Sequence, residues 1–326
     1  MSGEKSAPSL EYLSDLPAVD PPRFIDLPGG HVLAWNEFGD PAGFPVMYYH
    51  GWPSSRLQAG LAHHVAKVRG LRLIAIDRPG MGQSSWQANR RLADWPPMME
   101  HFADALKIGQ FCQLGVSGGG PYVAVCAARI PNRLAGSAVL GGAVPISARG
   151  RHLRGLHPIY RLLMPLRKLP AAVWSPAFWF AARCSQLPPD RPPLTWLMAS
   201  LGNADRQLLK NSTAIWPVIT ESFREGIRHQ GARGVMADAA IYFQALGFEP
   251  HEVTHPIRYW HGGDDRNIPI QMVRDFTAQL AGGQLEVIEE LGHFSLVLYQ
   301  VAAALDYLAT CARSVAPLTA QNTREC

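Results

Sequence analysis

A serine set among glycines, Gly115-Val116-Ser117-Gly118-Gly119, is where residue type and spacing first suggest chemistry. A serine hydroxyl is protonated at neutral pH. It attacks a carbonyl only when a base takes its proton, and that base needs an orienting acid. The last of the twelve histidines, His293, follows a strand-like run in a glycine-containing loop and is the candidate base. Asp264 and Asp265, directly after the run Ile257-Arg258-Tyr259-Trp260, are the candidate acids. No Asp or Glu occurs between Asp104 and Asp190, and Asp190 and Asp205 fall in a helical stretch. The order serine, acid, histidine is one in which such triads occur. Position alone does not separate Asp264 from Asp265. Whichever is not the acid serves as a turn carboxylate bonded to nearby amides. Acyl transfer also needs donors for the developing oxyanion. The Gly118 amide is one, and the Trp52 amide in His50-Gly51-Trp52-Pro53 is the other, Gly51 allowing a close backbone approach.

Elements that could hold these residues follow in order. A hairpin is expected over Phe24–Leu27 and His31–Phe38, turning at Pro28-Gly29-Gly30. Apolar runs at Val46–Tyr49, Leu71–Ile76, Phe111–Leu114 and Ala135–Leu140 read as buried strands. Helices are expected over Arg56–Arg69, Asp94–Ile108 and Gly120–Arg129. After a long interruption come a strand at Ile257–Trp260, a helix over Gln271–Leu280, a strand at Leu285–Ile288 and a closing helix over Leu296–Cys311. Strands alternating with helices, with the chemistry at strand C-termini, predict an α/β fold with a doubly wound, mostly parallel sheet. Residues 146–229 carry helix-like runs and prolines but no strand and read as an inserted helical cap. The expected organisation is an arm over 1–22, a core over 23–145 and 230–312, the cap over 146–229 and a tail over 313–326.

Four motifs, in order and on expected strand ends, make the chain resemble the α/β-hydrolase superfamily. They are His50-Gly51-Trp52-Pro53, Asp77-Arg78-Pro79-Gly80-x-Gly82-x-Ser84, Gly115-x-Ser117-x-Gly119, and Gly262-x-x-Asp265-x-x-Ile268-Pro269 with Gly292-His293-Phe294. The resemblance spans roughly residues 31–310 apart from the insertion, which corresponds to the variable cap of these enzymes. The family pattern places the acid on Asp265 rather than Asp264, and makes the 77–84 loop a structural turn near the site. Relatives that form an alkyl ester, such as haloalkane dehalogenases and epoxide hydrolases, place Asp at the elbow. Ser117 implies an acyl-enzyme instead. Proline iminopeptidases typically carry Trp after the serine, where this chain has Gly118. The resemblance therefore implies a serine hydrolase acting on a small-to-medium hydrophobic carboxylic ester. The same triad also serves carbon–carbon bond hydrolases of diketones and cofactor-free perhydrolases. A receptor on this fold would instead bind a small molecule without turnover.

The cap is rich in aromatic residues. Trp174, Phe178 and Trp179, spaced i, i+4 and i+5, are expected on one helical face, and with His50 they are the candidate pocket residues. Arg149, Arg151, Arg154, Arg161, Arg167, Lys168 and Arg183 occur in a span without carboxylates and read as a solvated helix face. A net charge of +4 without basic runs excludes a nucleic-acid-binding signature. Five scattered cysteines without a C-x-x-C pair predict neither a metal site nor a disulfide framework. The longest apolar stretch, 169–182, is too short to span a bilayer and holds two prolines. The expectation is a cytoplasmic enzyme with a small-molecule substrate, no cofactor and no membrane span. Nothing in the chain speaks to oligomeric state.

Overall fold

The computed structural model describes residues 10–14, 16–144, 169–188, 190–211 and 214–315. Eight strands form one sheet: β1 (Arg23–Leu27), β2 (His31–Gly39), β3 (Phe44–Tyr49), β4 (Leu71–Ile76), β5 (Phe111–Val116), β6 (Leu134–Leu140), β7 (Ile257–Gly262) and β8 (Gly283–Ile288). Their spatial order is β1-β2-β4-β3-β5-β6-β7-β8. The β1–β2 and β2–β4 pairs are antiparallel and the remaining pairs parallel. The order reverses between β3 and β5, which pair directly with Tyr49 opposite Gly115. Loops leaving two such strands diverge over a crevice, the usual ligand position in an open α/β sheet. This pairing sets the 50–53 loop beside the serine turn.

The central strands alternate between two cores because successive side chains point to opposite faces. Met47 and Tyr49 of β3, with Ile74 and Ile76 of β4, face one core. On that side lie α2 (Trp95–Ala105) and α3 (Gly120–Arg129), through Met99, Phe102 and Val123. Val46 and Tyr48, with Leu73 and Ala75, face the other core. There α1 (His63–Val68) contributes Val65, and the last helix (His293–Val315) contributes Leu296, Val301, Leu305 and Leu308. That last helix is long and apolar enough to cross a membrane by length and composition alone. Here its apolar face packs on the sheet, across β5, β6 and β7.

Between β6 and β7 the described residues form helices only: α4 (Ala171–Cys184), α5 (Leu194–Ser200), α6 (Asn203–Asn211), α7 (Ile215–Ile227) and α8 (Gly231–Ile241). The helical run thus continues past 229, the boundary read from the sequence, and α8 packs against α4 and α7. After β7 come α9 (Ile270–Thr277), β8 and the closing helix α10 (His293–Val315). A third apolar cluster joins α5, α6 and α7 to α10 through Met198, Leu209, Ile215 and Leu298.

Two terminal expectations change. Within the arm, Leu13 is buried in that third cluster and the Tyr12 hydroxyl donates to the Leu298 carbonyl at 2.7 Å. An apolar side chain and a satisfied hydroxyl hold this part against α10. At the other end α10 runs to Val315, past the expected tail boundary.

Candidate active site

The turn after β5 is built for close approach. Ser117 has φ of 50°, a left-handed conformation costly for a residue with a side chain, on the order of 1–3 kcal/mol. The flanking glycines leave room for it. A Cβ on Gly119 would stand 2.1 Å from the Tyr49 carbonyl oxygen, and one on Gly115 would stand 2.7 Å from Val123 Cγ2. Any side chain at either position would force β5 and α3 away from their neighbours. The spacing of the pentapeptide is therefore a packing requirement that drives the serine into the crevice.

Three side chains meet there. His293 Nε2 lies 2.9 Å from Ser117 Oγ, and His293 Nδ1 lies 2.7 Å from Asp265 Oδ2. Because Asp265 accepts, Nδ1 carries the proton and Nε2 is free to accept from the serine. The other oxygen, Asp265 Oδ1, accepts from the Asn267 and Ile268 amides at 2.8 and 2.9 Å. Burial disfavours the Asp265 carboxylate, but the charge and hydrogen bond of His293, with His261 and the Ile268 amide, outweigh it, so its pKa is lowered. Burial likewise disfavours the His293 imidazolium. Asp265, by charge and hydrogen bond, and Asp205 by charge prevail and raise the His293 pKa above the ordinary histidine value. Asp264 stands apart, accepting from the Asn203 amide at 3.1 Å and pairing with Arg266. Of the two candidates, only Asp265 bonds to the histidine.

The 50–53 loop abuts the serine turn. A Cβ built on Gly118 would lie 3.0 Å from the Trp52 amide nitrogen, so that amide stands close beside Gly118. Gly118 sits in the first turn of the helical segment that continues into α3, where amides lack intrahelical partners. Trp52 is held from behind, its indole Nε1 donating to the Val235 carbonyl at 2.9 Å.

Two candidate pocket residues lie elsewhere. His50 is fully buried beneath the loop, where Nδ1 donates to the Gly51 carbonyl at 2.8 Å and Nε2 accepts from the Arg78 amide at 3.4 Å. Burial first, then the Arg78 charge, lowers its pKa, which keeps it neutral. It braces the loop and does not line the cavity. Trp179 is 67% exposed, outside the cavity, with Arg183 over its ring. The helix explains why. At 100° per residue the pocket face of α4 carries Trp174, Phe178 and Ala181, and Trp179 is turned away from it. Trp174 and Phe178 do line the cavity. Of the basic residues read as a solvated face, all but Arg183 lie outside the described residues.

The cavity above Ser117 measures about 670 Å³. Its lining includes Trp174, Phe178, Leu194, Met198, Trp216 and Phe223 from the cap, and Val297 and Leu298 from α10. Among the described residues the lining contains no Lys, Arg, Asp or Glu. Trp174 and Trp216 both line the cavity, but their indole nitrogens are buried and have no hydrogen-bond partner among the described residues. No group of three or more His, Cys, Asp or Glu among the described residues is arranged to hold a metal ion.

Sequence reasoning missed three supports. Asp205 of α6, 1% exposed, accepts from the His293 amide at 2.8 Å, the Ser295 amide at 2.8 Å and the Ser295 hydroxyl at 2.7 Å. These donors belong to the first turn of α10, which lacks partners of its own, and the carboxylate also meets the positive end of the helix dipole. A Cβ on Gly292 would stand 2.5 Å from Asp205, so the glycine of Gly292-His293 makes room for this cap. Tyr242, just after α8, donates to the Gly118 carbonyl at 3.0 Å. The third is His261, whose Nε2 donates to the Ile268 carbonyl at 2.8 Å and lies 3.4 Å from Asp265. Asp205 and Tyr242 pair with residues far away in sequence, and the His261-x-x-x-Asp265 spacing is the one local signal among the three.

Comparison with known proteins agrees with this architecture. Residues 45–158 match a family model described as alpha/beta hydrolase fold. The chain is 28% identical over 270 residues to a 2-hydroxymuconate semialdehyde hydrolase of Pseudomonas sp. (strain CF600), covering 78% of this chain and 82% of that one. It is 30% identical over 129 residues to the dihydrolipoyllysine-residue acetyltransferase component of an acetoin cleaving system of Pseudomonas putida. That match spans 39% of this chain and only 35% of the longer relative. Among solved structures, an esterase of Rhodococcus sp. ECU1013 superposes with a TM-score of 0.63 at 18% identity, over 90% of this chain and 98% of the other.

Proposed function

Because this chain has the alpha/beta-hydrolase fold, we propose that it is a serine hydrolase cleaving an uncharged, hydrophobic carboxylic ester through an acyl-enzyme. The observation that carries this reading is the continuous line Ser117 Oγ, His293 Nε2, His293 Nδ1, Asp265 Oδ2, at 2.9 and 2.7 Å, at the floor of an apolar cavity.

The mechanism follows from the geometry. As Ser117 Oγ attacks the ester carbonyl carbon, its proton passes to His293 Nε2. Asp265 stabilises the imidazolium that forms and keeps its ring in place. The carbonyl oxygen becomes an oxyanion in the space bordered by the Trp52 and Gly118 amides, which gain strength as its charge grows. Collapse of the tetrahedral intermediate breaks the bond to the alkoxy oxygen, and the imidazolium gives that oxygen its proton. Water then enters and attacks the acyl carbon as His293 removes its proton; the bond to Ser117 Oγ breaks, Oγ takes that proton back from His293, and the carboxylic acid leaves.

Substrate class follows from the lining. A wall of Trp, Phe, Leu and Met without a cationic residue among the described lining favours neutral apolar groups over anions. The test is hydrolysis of p-nitrophenyl esters of increasing acyl length beside an acyl series bearing a terminal carboxylate. Rates should rise with neutral chain length and fall with the carboxylate. Preference for the anionic series would overturn the substrate class.

A further inference from the structure

Arg78 is fully buried and aimed at the back of the oxyanion loop. Its Nη1 donates to the His50 carbonyl, and its Nη2 donates to the Gly51 carbonyl at 3.0 Å. The Gly51 carbonyl also accepts from His50 Nδ1 at 2.8 Å. That carbonyl and the Trp52 N–H belong to one peptide unit. In a planar trans peptide the two point in opposite directions, so fixing the carbonyl aims the N–H. Here the carbonyl is bound by Arg78, and the Trp52 nitrogen stands beside Gly118, 3.0 Å from where a Cβ on that glycine would lie.

We infer that Arg78 is the positioning residue of the oxyanion hole, orienting and polarising the Gly51–Trp52 peptide so that its N–H meets the carbonyl oxygen under attack. A cation on the carbonyl side draws electron density from the amide, making the N–H a stronger donor, since hydrogen bonds in a chain polarise one another. The inference rests on the acyl-transfer reading of the site.

The arginine is itself held. Asp238 of α8 accepts from Arg78 Nε with both oxygens at 3.1 Å and from Nη2 at 2.7 Å. It also accepts from the Tyr122 hydroxyl at 2.7 Å and from Arg90. Despite burial, Arg78 and Arg90 keep the Asp238 pKa well below the usual carboxylate range, so the pairing is ionic. The same helix receives the Trp52 indole at Val235, and Tyr242 at its end reaches the Gly118 carbonyl. Helix α8 thus serves as the brace of the oxyanion hole, acting on the Trp52 peptide through Asp238 and Arg78. The second donor is pinned in the same way. Its peptide carbonyl, on Ser117, accepts from the Ala143 amide at 2.7 Å.

The test compares wild type with Arg78→Lys, Arg78→Met and Asp238→Asn. Rates are expressed per active site titrated with a fluorophosphonate, so that loss of folded protein does not enter. Ligands are an aliphatic trifluoromethyl ketone, which forms a hemiketal oxyanion on the serine, and the matching methyl ketone, a ground-state mimic. Losing one oxyanion donor costs about 10²–10³-fold in kcat, so a misdirected donor should cost roughly 10–100-fold. KM and methyl ketone affinity should stay near wild type, while trifluoromethyl ketone affinity falls in step with kcat. The acid limb of the pH profile should not move, because His293 is untouched. Unchanged kcat and trifluoromethyl ketone affinity in Arg78→Lys and Asp238→Asn, or a rise in KM alone, would overturn the inference while leaving the hydrolase reading intact. Wild-type protein that neither hydrolyses esters nor binds the trifluoromethyl ketone would sink both.

Discussion

Replacing Asp205 by asparagine should show that the cap is part of the catalytic machinery. The carboxylate accepts three hydrogen bonds of 2.7–2.8 Å from the first turn of α10, including the His293 amide. Asparagine keeps the shape, removes the charge and turns an amide NH2 toward donors that need an acceptor. Losing hydrogen bonds to a buried charge costs about 1.5–3 kcal/mol. At about 2–4 °C per kcal/mol for a domain of a few hundred residues, Tm should fall by about 3–12 °C. A second effect follows from the charge, because Asp205 helps raise the His293 pKa. Since the folded pKa lies above the unfolded value of about 6.5, the pairing's contribution to stability is complete below 6.5. It is lost as pH rises through the folded value. Activity runs the other way, rising with pH over the same window as His293 becomes the neutral base. Asp205→Asn should therefore shift the acid limb of kcat/KM to lower pH while lowering the plateau. The assays are thermal unfolding by circular dichroism and ester hydrolysis from pH 5 to 9. A variant with wild-type Tm and an unmoved limb would refute the reasoning.

Other substitutions separate the remaining parts. Asp265→Asn should reduce kcat by roughly 10⁴-fold, as loss of the orienting acid does elsewhere, and Asp264→Asn should stay within a few-fold of wild type in the same assay. Gly118→Ala would place a Cβ 2.4 Å from Tyr242 Oη and 2.8 Å from Trp52 Cβ. It should lower kcat by about 10²–10³-fold, the scale of a lost oxyanion donor. Phe178→Ala should raise KM for longer acyl chains by about tenfold, the scale of one lost buried aromatic contact. Trp179→Ala, on the outer face of α4, should leave the chain-length profile unchanged.

How much of this was legible depended on how local each cause was. The elbow could be read because its glycines answer to steric limits within a few residues of Ser117. His293 and the Asp264-Asp265 pair could be read because strand ends are where an α/β sheet exposes chemistry. Position could not choose between the two aspartates. The choice comes from the turn at 267–268, whose amides bind Asp265 and aim it at His293, while Asp264 turns to Asn203 and Arg266. His50, read as a pocket residue, instead turns its ring inward to brace the 50–53 loop. Trp179 failed through helical geometry, since the arc holding Trp174, Phe178, Phe180 and Ala181 leaves it on the opposite side of α4. Asp205, Tyr242 and the Arg78–Asp238 pair were invisible because their partners lie 88 to 160 positions away. Only the packing of the cap on the core brings them together, and no periodicity records it.

The central claim is that Ser117 carries the acyl group. Intact-protein and peptide mass spectrometry after rapid quenching of p-nitrophenyl ester turnover measures this directly. One acyl adduct per chain is expected, on the peptide containing Ser117, with an initial burst of p-nitrophenol and neither in Ser117→Ala. Turnover that persists in Ser117→Ala, or an adduct on another residue, would contradict it.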